Sequence, residues 1–358
     1  MKKLEPLIVG GLTIPIPIIQ GGMGVKISTA SLAAAVSNCQ AAGTIASVGL
    51  AYGIDETGID VVKVSNQALR EEIRKAKDLS QGIIGVNIMV ALSNFEELVL
   101  TALDEGIDFI ISGAGLPLKL PELAKGYKTK LIPIVSSRRS ADIIIKTWLK
   151  RYNRQPDALV IEGPLAGGHL GFKFNELQSN STQSLESLML DILDLVNNYK
   201  KNANIDIPLI AAGGIFEGKD IARMIKLGAN GVQMATRFVT THECSVPDEV
   251  KDLYLKASIE DIVIIDSPVG MPARAIKTPF VEALLKGRSE EIICRYKCLK
   301  TCDPKTAPYC IARALCNAVI PKIKESIIFC GSNVWRVNEK TSVKELIDKL
   351  VQEAQSNL

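Results

Sequence analysis

The chain predicts an α/β fold, a (β/α)8 barrel with a C-terminal Cys-rich extension. Eight short apolar runs fall within the first 240 of its 358 residues. Helical patterns separate them, and glycine gathers where the runs end. Strands that are apolar throughout and alternate with helices belong to a parallel sheet covered on its faces. Eight is the number that closes such a sheet on itself, and about 250 residues is the usual length of that barrel.

The expected strands are Ile16–Gln20, Gly43–Ser47, Gly85–Met89, Phe109–Ser112, Leu131–Val135, Ala158–Glu162, Pro208–Ala212 and Gly231–Ala235. Between them, Ser28–Cys39 opens on Ser/Thr caps, and Asn94–Glu105 has Asn94 at its N-cap position. Ser140–Tyr152 and Ser184–Tyr199 are amphipathic, and Gly218–Leu227 runs into Gly228, a C-cap signal. An open doubly wound sheet would carry G-x-G-x-x-G after an early strand; QGGMGVKIS after the first run lacks that spacing.

Hydrophobic residues make up 47% and charged residues 23%, so a large core is available. A net charge of +3, with both signs interspersed, gives no basic patch for nucleic acid. Pro6, Pro15 and Pro17 interrupt the N-terminal apolar stretch, so neither a signal peptide nor a membrane span is read there, and a cytoplasmic location is expected.

In a barrel, chemistry belongs at the carboxyl ends of the strands. Those ends read QGGMG, SVGL, VNIMV, SGAGLP, VSSRR, EGPLAGGH, AAGGIFEG and MATRF. This rim is rich in glycine, and its charges lie mainly at Arg138, Arg139 and Arg237. Gly213 and Gly214 end run seven, and Gln233, Met234, Ala235 and Thr236 end run eight. The loops after strands seven and eight are a common phosphate site, where bare amides, a Thr hydroxyl and a helix N-terminus act together. Flavin and sugar phosphates both use such a site.

PIIQGGMG, GVNIM, SGAG, EGPLAGGHLG, IPLIAAGGI and GVQMATRF occur in that order over about residues 14–240. Together they resemble the nitronate monooxygenase (2-nitropropane dioxygenase) family of FMN-dependent barrels, which includes the enoyl-ACP reductase II branch. The resemblance implies FMN with its phosphate at Gly213, Gly214 and the Gln233–Thr236 stretch. It places Asn87, Glu162 and Gly167 near the ring, and Gly22 and Met23 along the isoalloxazine. Two residues depart from the family pattern. Ala235 stands where members usually have Gly, which requires a negative φ there. Glu162 stands where many have Gln, so its carboxyl group is expected to be protonated or turned away.

His169 is one of two histidines and sits in the glycine frame EGPLAGGHLGF. Those glycines let the loop turn over a ligand, and an imidazole titrates near neutral pH. The resemblance makes His169 the catalytic base toward neutral nitroalkanes; by ordinary side-chain values it is also the only rim group expected to titrate near neutrality, and His242 is read as a surface residue. The implied activity is nitronate oxidation with O2. The alternatives are an NAD(P)H-dependent enoyl-ACP reductase, suggested by GVNIMVALSNFEELV, ISGAGLP and SPVGMPARAIKTPF, and an FMN-binding protein without turnover.

Three segments are expected: a barrel at 1–245, a stretch over the active-site mouth at 246–289, and a Cys-rich extension with a closing helix at 290–358. Six of eight cysteines crowd into the 37 residues from Cys294 to Cys330. Cys294, Cys298, Cys302 and Cys310 suit an iron–sulfur cluster or zinc, or equally reduced structural thiols, since neither usual zinc nor ferredoxin spacing is present. The cluster lies beyond the barrel motifs and is expected to be dispensable for flavin binding. The closing helix SVKELIDKLVQEAQ is read as core packing or an oligomer contact, such as a homodimer. The expected ligand partner is a small-molecule substrate.

Overall fold

A computed structural model describes residues 3–51, 60–294, 297–320 and 322–358. Eight parallel strands form the core: β1 (Ile18–Gln20), β2 (Gly43–Ala46), β3 (Ile84–Met89), β4 (Phe109–Gly113), β5 (Lys130–Val135), β6 (Leu159–Glu162), β7 (Leu209–Ala212) and β8 (Gly231–Met234). Their order is β1-β8-β7-β6-β5-β4-β3-β2. The ring closes where a parallel bridge joins Ile19 to Ala42, just before β2. All eight expected strands are present, each within about two residues of its expected ends, as usual for boundaries read from pattern.

Side chains alternate across the barrel wall. Ile19, Phe109, Ile111, Ile132, Val160 and Ile210 fill the interior. Ile18, Ile110, Leu131, Leu159, Ile161 and Leu209 face the helices. An antiparallel hairpin, Leu7–Val9 with Leu12–Ile14, closes the floor by adding Leu7, Val9 and Ile14 to the interior cluster. Because the interior is packed to that floor, only the rim is open to a ligand.

The outer helices are α1 (Ala30–Asn38), α2 (Val61–Leu79), α3 (Phe95–Asp104), α4 (Leu120–Leu123), α5 (Arg138–Tyr152), α6 (Leu185–Ala203) and α7 (Gly218–Lys226). Directly after β8 comes the short helix Thr236–Val239, and Asp248–Lys256, Pro279–Leu285 and Ile311–Val319 follow it. The position of an eighth outer helix is taken by α8 (Val343–Ser356), which packs against both α7 and α1. Its Val343, Leu346, Ile347, Leu350 and Ala354 are buried and pack into the core. Glu353 of α8 accepts the Gly218 N–H at 2.8 Å. The closing helix thus packs in the barrel's outer ring.

The intervening chain builds a lid. Strands Ile262–Ser267 and Met271–Ile276 form an antiparallel hairpin. Ile328–Phe329 and the two-residue strand Gly168–His169 both pair with Met271–Ile276. This sheet ties the loop after β6 to residues 262–329. Among the described residues, no helix is long and apolar enough to cross a membrane.

Candidate functional site

The rim encloses a cavity of about 420 Å³. Every residue expected at the site lines it: His169 together with Gly22, Met23, Asn87, Glu162, Gly167, Gly213, Gly214, Gln233, Met234, Ala235 and Thr236. The three arginines of the rim do not. Arg138 is paired with Asp194 at 2.7 Å, and Arg237 lies over the Phe216 ring at 4.6 Å, donating to the Phe216 carbonyl. Among the described residues, Glu162 supplies the only carboxyl group of the lining, and no Lys, Arg or Asp side chain joins it.

The end of the cavity at β7 and β8 suits a phosphate in part as expected. Gly213 and Gly214 take φ of 90° and 89°, which glycine adopts without strain. A Cβ at Gly213 would lie 2.8 Å from the Gly163 carbonyl oxygen, so the loops after β6 and β7 meet there because neither side needs room for a side chain. The Thr236 hydroxyl accepts the Gly331 N–H at 3.0 Å, and Asn333 donates to the Gly214 carbonyl at 2.7 Å. Ala235 has φ of −129°, so its methyl is accommodated without strain. The long helix after β7 is a different matter. Its start is closed by Glu217 and Asp220 in a reciprocal cap and by Glu353, so the positive end of α7 is already met by carboxylates. The amides that remain for an anion are those of the glycine turn and of the short turn at Thr236.

At the opposite wall, Gly22 packs on Asn87: a Cβ there would fall 2.4 Å from the Asn87 Cβ. The Gln233 carbonyl oxygen is buried with no partner. A buried acceptor of that kind is satisfied by a ligand donor, and a flavin ring carries an N–H of that type. The glycine cradle, the orphaned Gln233 side-chain oxygen and the size of the cavity fit FMN. When bound, FMN would supply two-electron redox chemistry at the strand ends.

Burial exchanges the two titrating groups of the rim. It pushes the Glu162 carboxyl up to about 8, so the group is mostly protonated at neutral pH. It pushes the His169 imidazole down to about 4, so the ring is neutral there. The expectation that His169 alone titrates near neutrality is corrected: Glu162 is the group that does so. His169 Nε2 lies 2.8 Å from Ser267 Oγ, and the Phe329 ring stands against the imidazole with centroids 5.1 Å apart. His242 is exposed, as expected.

The lid adds residues that pattern reading did not single out. Arg274 is buried and donates to the Pro164 and Ala166 carbonyls, clamping the loop that leads to His169. Tyr254 donates to the Phe329 carbonyl. The roof is apolar: Leu92, Val269, Met271, Ile311 and Leu315 all line the cavity. Cys298 and Cys330 line it as well. Cys298 and Cys310 pack with Val25 and Ala312, whereas Cys294 is exposed. Among the described residues no disulfide forms, and no three His, Cys, Asp or Glu side chains are placed to hold a metal ion. The independence of tail and flavin site is corrected by the same contacts, since the tail forms the cavity roof. The sequence signals for this roof were the stretch SPVGMPARAIKTPF, expected over the mouth, and the clustered cysteines, of which Cys298 and Cys310 pack in its apolar cluster.

A glycine-lined cavity across the carboxyl ends of a (β/α)8 barrel, with a phosphate cradle after strands seven and eight, defines the class of flavin-dependent barrel oxidoreductases. The family model for nitronate monooxygenase matches residues 5–353, and the chain belongs to that FMN-dependent oxidoreductase family. A Mycobacterium tuberculosis protein named (3aS,4S,5R,7aS)-5-hydroxy-7a-methyl-1-oxo-octahydro-1H-indene-4-carboxyl-CoA dehydrogenase is 30% identical over 271 residues, 76% of this chain and 66% of that protein. The match thus spans just under two thirds of that relative's length. A "Probable nitronate monooxygenase" of Staphylococcus haemolyticus is 26% identical over 97% of this chain and 96% of its own. The structure of FabK from Thermotoga maritima superposes with a TM-score of 0.74 at 28% identity, covering 96% of this chain and 94% of that one.

Proposed function

We propose that the chain oxidises alkyl nitronates, with FMN across the strand ends and O2 as the terminal oxidant. One observation carries the reading: His169 and Glu162 line one cavity at the strand ends, where Glu162 is the only carboxyl group among the described residues and burial raises it to about 8. Glu162 then opposes neither an anionic substrate nor negative charge on a reduced ring. His169, neutral and fixed against Ser267, is the group that accepts a proton when the substrate arrives as the neutral nitroalkane.

A second reading is reduction of an enoyl thioester by NAD(P)H. It is favoured by the apolar roof of Leu92, Val269, Met271, Ile311 and Leu315, which suits an acyl chain, and by the likeness to FabK along nearly the whole chain. Anaerobic stopped-flow separates the two. The purified yellow protein is mixed in turn with propyl nitronate, NADH and NADPH. Fast bleaching by the nitronate alone supports the first reading, and bleaching by a nicotinamide supports the second. Acid extraction should release FMN; release of FAD, or no flavin after reconstitution, defeats both.

A further inference from the structure

We infer that Ser136, at the carboxyl end of β5, donates its hydroxyl proton to an oxygen of the substrate's nitro group, and that Gly171 is glycine to leave room for that hydroxyl. The inference rests on the proposed oxidation of nitronates in the cavity that His169 lines.

Ser136 follows Val135, the last residue of β5, and lines the same cavity as His169. The next two hydroxyls of the lining are closed on each other. Ser137 caps α5 by accepting the Ser140 N–H at 3.1 Å, and Ser140 Oγ donates to the Ser137 carbonyl at 2.8 Å. Ser137 Oγ in turn donates to Ser140 Oγ at 3.0 Å, so neither has a proton left for a ligand. Tyr254 is committed to the Phe329 carbonyl, and His169 Nε2 to Ser267. Thr236 stands at the phosphate end, bonded to the Gly331 N–H. Ser136 is different. Among the described residues its Oγ meets no hydrogen-bond partner, and the residue is half-buried against the cavity. A free hydroxyl in a ligand cavity is a donor for the ligand.

The loop after β6 yields to this side chain. Gly168 needs its φ of 71°, and Gly167 meets the Cys330 backbone. Gly171 has neither reason to be glycine, since its φ is not positive and no backbone crowds it. A Cβ there would lie 2.5 Å from Ser136 Oγ and 2.9 Å from Ser136 Cβ, and no other atom comes within 4 Å. The missing side chain thus leaves the Ser136 hydroxyl beside the loop that carries His169, two residues on from the imidazole. Gly171 is exposed, so this contact lies at the mouth where a substrate enters. When His169 takes the α-proton, the C–H bond breaks and its electron pair spreads onto the two nitro oxygens. Among the described residues, no Lys or Arg of the lining meets that charge. A hydroxyl bond to it is charge-assisted and stronger than one to the neutral nitro group, so Ser136 favours the nitronate over the nitroalkane.

Inorganic nitrate is the probe, because it is planar and shares its charge among oxygens as a nitronate does, yet gives up no electrons. It is titrated into the flavin-loaded protein and followed by the change in flavin absorbance. Wild type should bind it. Ser136→Ala should weaken binding by about 10–100-fold, the loss expected for a hydrogen bond to a charged group, with FMN affinity unchanged. Anaerobic reduction by propyl nitronate should show the same rise in Kd. Gly171→Ala should weaken nitrate binding in the wild-type background but by less than about threefold in Ser136→Ala, where the hydroxyl it displaces is already gone. No nitrate binding by wild type, or binding that Ser136→Ala leaves unchanged, overturns the inference. A loss of FMN affinity with nitrate binding intact overturns it too, since the hydroxyl would then serve the flavin. Should Ser136→Ala fail to hold flavin, Ser136→Cys keeps the size with a poor donor and must show the same weakening; wild-type nitrate binding there is equally fatal. The expected nitrate results with no turnover of nitronate or nitroalkane would support the oxyanion donor and defeat the substrate reading alone.

Discussion

Glu162→Gln removes a group whose ionisation the fold opposes, and its effect on stability has a definite sign. Burial raises the carboxyl from its ordinary 4.5 to about 8. A raised acid means that the folded state binds the proton more tightly than the unfolded state between those values. Stability from this group is therefore fully present below pH 4.5 and is lost as pH rises toward 8. At roughly 1.36 kcal/mol per unit the whole shift is on the order of 4–5 kcal/mol, and cavity water reduces this to about 2–3 kcal/mol. Urea unfolding of the flavin-stripped protein from pH 4 to 9 measures it. Wild type should lose stability across that window relative to Glu162→Gln, and the variant should be about 2 kcal/mol the more stable at pH 8.5. Parallel curves for the two proteins would show that Glu162 ionises freely and that the cavity is wetter than its geometry indicates.

His169→Asn should retain FMN and lose about 10²–10⁴-fold on a neutral nitroalkane, but much less on the preformed nitronate; equal loss on both would make the residue a binder and not a base. Because burial holds the imidazole near 4, the acid limb of the wild-type rate profile should fall near pH 4 and not between 6 and 7. Gly213→Ala places a Cβ against the Gly163 carbonyl and requires a positive φ, so fluorescence titration should show at least about tenfold weaker FMN binding. Truncation before Glu290 removes α8 and the roof, and the product should neither fold to the native circular-dichroism spectrum nor bind FMN; a yellow truncated protein would contradict the assignment of α8 to the barrel.

The barrel was legible because its signal is local. Each strand is a short apolar run, several of them ending in glycine, and GVQM or LIAA cannot be read as a helix of useful length. The site followed from the strand ends, and all twelve residues meet in one cavity. Long-range arrangement was not legible. Helix α2 buries only Leu69, Ile73 and Ala76 along nineteen residues, a thin stripe within a charged surface. The lid sheet depends on Gly168 and His169 pairing with Arg274 and Ala273, about a hundred residues away, and no local pattern encodes that register. Ionisation was inverted for the same reason: the side chains of Glu162 and His169 carry their ordinary values in the sequence, and only burial in the folded site exchanges them.

The place of α8 also orders events during synthesis. The groove between α1 and α7 exists as soon as β8 has formed, yet the helix that fills it is translated roughly a hundred residues later, on the order of ten seconds at 5–20 residues per second. Throughout that interval the nascent barrel presents a long apolar trench, and the Gly218 amide lacks its Glu353 acceptor. Trigger-factor-type holdases recognise such surface, and slowing translation between residues 240 and 340 should prolong their residence on the ribosome-bound chain.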